Sequence, residues 1–288
     1  MTRSMTAFAR ESSTGAFGQL TWELRSVNHR FLEPHLRLPD DLRGLETPVR
    51  ERLAARLGRG KVDCTLRFAP SADDAGVLKV NRRLLEQLLV AADQIATRLG
   101  EPATPHVIDL LRWPGLLEEP AQDTDVIAAA ALALLEQALD SLIAAREREG
   151  ERLRALLLAR CEKLAAEVDA VRARMPDVLT AVRARIRERL AEVKAELDPA
   201  RLEQEMALIA QRLDVDEEMD RLKVHIAEVQ KSLAGDVPVG RRLDFLMQEL
   251  NREANTLSSK SADAETTHAA VEMKVLIEQM REQVQNLE

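Results

Sequence analysis

Residues 214–225, DVDEEMDRLKVH, set an imidazole behind a run of carboxylates. Taken as one helix at about 100° per residue, Asp214, Glu218, Arg221 and His225 fall within about 60° of a single line, with Glu217 beside them. Such a group can hold a divalent cation or serve as acid and base, and the arginine can neutralise a phosphate. The stretch 240–260, GRRLDFLMQELNREANTLSSK, complements it. Leu243, Leu246, Met247, Leu250, Ala254 and Leu257 form an ordinary apolar stripe. Arg242, Glu249, Glu253 and Lys260 form a charged line, and Asp244, Gln248, Asn251 and Asn255 a third, polar one. Asp and Asn are poor helix formers, so mere solubility does not explain them. A short loop between the two stretches predicts an antiparallel pair that brings Asp244, Glu249 and Glu253 near His225. A plainer reading stays open: acids and bases three or four residues apart also make solvated ion pairs.

Elsewhere, SVNHRF (26–31) puts Asn28, His29 and Arg30 in a polar turn. RLGRGK (56–61) sets Arg59 between two glycines and Lys61 just after them; it lacks the phosphate-loop pattern but can hold a backbone phosphate. No GxSxG, HExxH or GxGxxG occurs, which leaves serine-hydrolase, zincin and dinucleotide readings without support.

The elements that must position these residues change character along the chain. In the first 70 residues Leu20, Trp22 and Leu24 alternate with Thr21, Glu23 and Arg25, and FLEPHLRL and KVDCTLRF repeat the habit. LETPVRERLAARLGRG between them reads as a helix with Pro48 in its first turn and Gly58 at its end. The expectation is a small antiparallel sheet with one helix on it, Pro34 marking an edge strand or bulge. After PSADDAG (70–76) the period becomes 3.6. NRRLLEQLLVAADQIATRLG predicts a helix capped by Asn81 and ended by Gly100, and HVIDLLRWPG a short one stopped at Trp113-Pro114-Gly115. A nearly unbroken pattern from about 123 to 174 suggests a long arm, with Pro176 starting a further helix to about 197. The fold class is therefore α+β: residues 1–72 an α+β module, 73–200 a helical region with the arm, and 201–288 a helical domain carrying the site.

Composition sets the outer limits. The 288 residues are 45% hydrophobic and 31% charged, enough to bury a core. Only 2% are aromatic, with no Tyr, which argues against a surface built from many base-stacking rings. Residues 1–70 hold 12 Lys+Arg against 8 Asp+Glu, a net of +4 that leaves −12 for the remainder of a chain at −8. A polyanion would meet the N-terminal part, and the acidic remainder suits cations. Cys64 and Cys161 form no CxxC and read as inert, reduced thiols. The N-terminus carries no signal-peptide core, and no uninterrupted apolar run approaches the ~18 residues of a membrane span; IAAAALALLEQAL (127–139) is broken by Glu136. A soluble, cytoplasmic protein without membrane contact is expected.

MTRSMTAFAR, WELRSVNHRFLE, RGKVDCTLRF, DLLRWPG, RLDVDEEMDRLKVH, VGRRLDFLMQELNREANTLSSKS and EMKVLIEQMREQVQNLE together resemble the bacterial YicC family over essentially the whole chain. The resemblance implies a divalent-metal-dependent endoribonuclease acting on single-stranded or structured RNA, small regulatory RNA included, and linked to stationary-phase and stress growth. It also implies a ring-like homohexamer that opens and closes around RNA, and no DNA partner. The matching positions are Asp214, Glu217, Glu218, Arg221 and His225, then Arg241, Arg242, Asp244, Gln248, Glu249, Arg252, Glu253, Asn255 and Lys260. Phe8 and Phe31 stand where relatives often have Tyr, so no phenol hydroxyl acts there. On that basis Glu218, Glu249 and Glu253, with His225, are the expected ligands of Mn²⁺ or Mg²⁺, and Asp244 joins them in the catalytic set. His225 serves as ligand or general base. Arg221, Arg241, Arg242, Arg252, Lys260, Asn255, Asn28, Arg30, Arg59 and Lys61 are the expected RNA contacts. A non-catalytic oligomeric RNA-binding scaffold or nuclease adaptor, its charged lines spent on subunit ion pairs, is the alternative.

Overall fold

A computed structural model describes residues 3–71, 79–100, 105–118, 123–192, 199–235 and 239–288. Strands β1 (Ala7–Gly15), β2 (Gly18–Val27), β3 (Leu32–Arg37) and β4 (Gly60–Pro70) form a sheet in the order β1-β2-β4-β3. β1, β2 and β4 are antiparallel, but β3 runs parallel to β4, so the sheet is mixed rather than purely antiparallel. The cause is the connection: a short 3₁₀ helix, Asp40–Leu45, and α1 (Glu46–Arg56) form the crossover that a parallel neighbour requires. Pro34 lies on β3, an edge strand, where its missing N–H costs no ladder bond.

A second pair, β5 (Lys79–Val80) and β6 (Leu117–Glu118), brackets α2 (Arg82–Leu99) and α3 (Val107–Leu111). Asn81 caps α2, accepting from the Leu84 N–H at 3.0 Å, and Gly100 ends it in the left-handed conformation. The expected PSADDAG break lies mostly outside the described residues.

The long arm is α4, Thr124–Glu192, 69 residues and about 100 Å long at 1.5 Å per residue. It runs through Pro176, where the sequence predicts a new helix. Proline deletes one backbone bond, but Pro176 is exposed while Val171 and Val178 on either side are buried, and packing outweighs the local loss. The predicted end near 197 lies outside the described residues. α5 (Pro199–Leu213), α6 (Asp216–Ala234), α7 (Gly240–Lys260) and α8 (Ala264–Val284) complete the chain.

Two apolar cores share α4. Leu20, Trp22, Leu24, Val62, Cys64 and Leu66 of the sheet, with Val49 and Leu53 of α1, close on the first turns of α4 from Ile127 to Leu142. The Trp22 indole N–H donates to the Ala131 carbonyl at 2.8 Å and fixes the register. Further along, Leu153, Leu157, Cys161, Leu164 and Val168 pack with the apolar stripes of α6, α7 and α8. A window within α4 is long and apolar enough, by length and composition, to cross a membrane. The run-by-run reading of the sequence overlooks it because Glu136 and Asp140 interrupt the run, and in the fold its apolar side forms the sheet's core.

The chain's end returns to its start. Ser4 bridges Leu287, the Glu288 N–H donates to the Arg3 carbonyl at 2.8 Å, and Asn28 and Arg59 donate to the carbonyls of Gln285 and Leu287, each at 2.7 Å. Arg146, 2% exposed on α4, donates to the Ser4 carbonyl at 2.7 Å and to the Glu288 side chain at 2.8 Å.

Candidate metal centre between two helices

α6 and α7 lie antiparallel, and contacts at successive levels fix their phase. Lys260 meets Glu218 at 2.9 Å, Arg221 Nη1 reaches Glu253 Oε1 at 3.5 Å, His225 lies with Glu249 and Glu253, and Arg242 pairs with Glu228. The apolar stripes, Met219-Leu222-Ile226-Val229 and Leu243-Leu246-Met247-Leu250-Ala254-Leu257, are drawn into the core. Burying them, at roughly 1.5–3 kcal/mol per large side chain, leaves the two charged lines facing one another.

At the middle of that groove, one ligand atom from each of His225, Glu249 and Glu253 lies within 4.8 Å of the others. The three differ in surroundings. Glu253 is 3% exposed, and the Arg221 guanidinium approaches it only to 3.5 Å, too far for a strong hydrogen bond. A buried carboxylate compensated so loosely is costly unless a cation completes it. The Glu249 side chain is 26% exposed at the rim, with Arg252 Nη1 4.0 Å away. Arg221 also bonds Glu217, and that bond with the charges of Glu217 and Glu253 raises its pKa above the ordinary arginine value.

Other expected residues sit elsewhere. Asp214 is not on the α6 line: the helix breaks between α5 and α6, and its carboxylate accepts from the Asp216 N–H at 3.0 Å. Glu218 lies outside the trio, joined to Lys260, whose ammonium also donates to the Asp214 carbonyl at 2.8 Å. Asp244 lies on another side of α7, accepting from Gln248 at 3.1 Å and facing Arg281 of α8 at 4.0 Å. Gln248 therefore orients Asp244 and neither glutamate of the trio. Asn255 and Arg241 are exposed. Of the N-terminal residues expected to contact RNA, Asn28 and Arg59 hold the C-terminal tail, Arg30 stacks over Phe31 at 5.1 Å, and Lys61 stands half-buried on β4.

The YicC-like N-terminal region of endoribonucleases matches residues 2–155, and the YicC-like C-terminal region matches 171–288. The chain belongs to the YicC family. A relative from Haemophilus influenzae, named probable endoribonuclease YicC, is 47% identical over the full length of both chains. One from Clostridioides difficile with the same name is 30% identical, again over the full length of both. The YicC C-terminal match takes in both α6 and α7, and so every residue of the trio.

One residue on this face escaped the reading of the sequence: Phe245, 58% exposed. It sits off the apolar stripe of α7, one turn before Glu249. A large ring on the polar side of an otherwise regular stripe is the signal that would have found it.

Proposed function

We propose that this chain is an endoribonuclease whose chemistry depends on a divalent cation held by His225, Glu249 and Glu253. The supporting observation is the convergence of these three groups across the α6–α7 groove. The donor set fits such an ion. Six-coordinate Mg²⁺ or Mn²⁺ wants donors about 2.1 Å from the metal and hence about 3–4 Å from each other, which a small inward movement of the side chains supplies. One imidazole among carboxylates favours Mn²⁺ over Mg²⁺, which takes oxygen donors. Bound there, the ion would supply a Lewis acid for the phosphodiester and a water of lowered pKa.

The chain's own residues do the remainder. Glu253, buried and fixed, anchors the groove's floor, and Glu249 at the rim can follow the substrate. Arg221 and Arg252, each within reach of a trio carboxylate, turn toward phosphate oxygens as RNA enters and offset their charge. Glu218 and Lys260 pin the start of α6 to the end of α7 and so hold the groove's phase. The substrate is RNA, single-stranded or structured, with small regulatory RNA among its forms, and the working unit is a homo-oligomer in the cytoplasm for which six copies is the expectation. The scaffold alternative draws on subunit ion pairs, yet Arg242–Glu228, Lys260–Glu218 and Arg221–Glu217 all close within one chain.

The test pairs wild type with Glu249→Gln on a labelled, structured RNA in Mn²⁺, Mg²⁺ or EDTA, with particle mass measured alongside. The expected outcome is cleavage only with metal, faster in Mn²⁺, and a loss on the order of 100-fold or more in the variant at unchanged mass. Equal cutting by both proteins would reduce Glu249 to an ion-pair partner of Arg252. Binding of RNA without cutting by either would put the scaffold in place of the nuclease.

A further inference from the structure

We propose that Phe245 is a stacking platform for the RNA base beside the phosphate held at the His225–Glu249–Glu253 cluster, an inference that rests on the nuclease reading above. The chain has five Phe and no Tyr, and it leaves this ring 58% exposed. On α7, Phe245 lies one turn before Glu249 and about 40° to one side of it, while Glu253 lies one turn after and about 40° to the other. Glu253 is thereby turned into the groove and Phe245 onto its lip, with about 5–6 Å between neighbouring turns.

What surrounds the ring indicates its occupant. Its nearest positions on the helix surface are Arg241, Arg242, Gln248 and Glu249, all polar, and Leu246 beside it points into the core. An apolar patch made for another protein would continue into further aliphatic residues; on the surface of α7 a single ring is set among polar groups. Arg241 lies one turn before it and Arg252 two turns after, both exposed and within about 40° of the ring's direction. The lip of the groove thus reads cation, ring, cation, with the carboxylate–imidazole cluster behind. That order is complementary to a single strand: phosphates on the arginines, one unstacked base on the ring. Because every base has a flat face, the contact selects unpaired RNA over duplex without selecting sequence. The cleavage site on a structured RNA is then a loop, bulge or end.

The experiment uses the full-length protein in EDTA, so that no cutting occurs, with a 12-nucleotide single-stranded RNA carrying 2-aminopurine. Wild type, Phe245→Ala, Phe245→Leu and Phe245→Trp are compared for affinity and fluorescence quenching, with Mn²⁺ affinity and particle mass measured on each. Wild type should quench the probe. Phe245→Ala and Phe245→Leu should bind about 5- to 150-fold more weakly with the quenching lost, Phe245→Trp should restore both, and Mn²⁺ affinity and mass should not change. Wild-type affinity and quenching in Phe245→Leu would overturn the proposal, since leucine keeps apolar bulk without a stacking face. A change in particle mass in the Ala and Leu variants would also overturn it, in favour of a subunit contact. The two readings fail separately. If Glu249→Gln loses Mn²⁺ and cleavage while Phe245→Leu behaves as wild type, stacking alone falls. If wild type never cuts but the quenching pattern holds, the nuclease reading falls and the platform stands.

Discussion

Glu249 and Glu253 are one turn apart on the same helix, yet one is at the rim and the other is sealed. The sequence turns both toward His225 but does not distinguish their burial. Period and loop length together were sufficient to bring His225, Glu249 and Glu253 together, because all three face the neighbouring helix. Glu218 shares their line, but Lys260, 42 residues away, claims its carboxylate, and no local pattern announces that. Asp244 and Gln248 satisfy each other on another side of α7, so this pair serves that helix's own surface rather than the trio. The two thiols followed expectation in kind. Both are free and buried, and burial pushes Cys64 and Cys161 up to about 12. Since the thiolate is the reactive form, a thiol-specific disulfide reagent at neutral pH should find neither group in the native protein and both in denaturant. Rapid labelling of one of them without denaturant would mean that its core opens locally.

At the scale of elements, caps and stops were the most readable features: Asn81 and Gly100 bound α2 as their chemistry requires. Non-local choices were not. Nothing within LEPHLR states that it will lie parallel to β4; the crossover decides that. At Pro176 the local preference for a helix start gives way to long-range packing on Val171 and Val178. The cost of that proline remains inside α4 even so. Pro176→Ala restores the backbone donor at an exposed position, and it should stabilise the protein by up to about 3 kcal/mol, read as a higher denaturant midpoint at constant m. An unchanged midpoint would show that the helix around Pro176 adds nothing to global stability.

Among the described residues, two cores and the tail clasp hold the molecule together. The sequence showed the amphipathic faces from which the cores are built. It gave no warning that Asn28 and Arg59, read as RNA contacts, would hold the tail's carbonyls, since that depends on two ends meeting in space. At the clasp, burial lowers the Arg146 pKa, and Glu288 counters that loss. Glu288→Ala removes the carboxylate from this guanidinium and leaves it, among the described residues, the Ser4 carbonyl as acceptor. The expected cost is roughly 3 kcal/mol, at the low end for a broken buried pair because Glu288 is partly exposed. Calorimetry should show it as a lower melting temperature, with the Arg146→Met, Glu288→Ala double variant regaining part of the loss. A double variant no better than the single one would place the stability of this corner elsewhere.

The helix common to both cores has a further consequence, which concerns count rather than composition. Leu142 closes the first core and Leu153 opens the second. The eleven steps between them advance the helix by about 16 Å and bring it round to within about 20° of its starting direction. The two cores are thus geared to the same side of one shaft. Adding a single residue in this stretch would swing one core about 100° around the other and pull Arg146 out of line with the tail it holds. A four-residue insertion would come back to within about 40° but spread the cores by some 6 Å. In this window the number of residues is itself a structural parameter: side chains facing solvent can be exchanged freely, whereas insertions and deletions change how the two halves mesh.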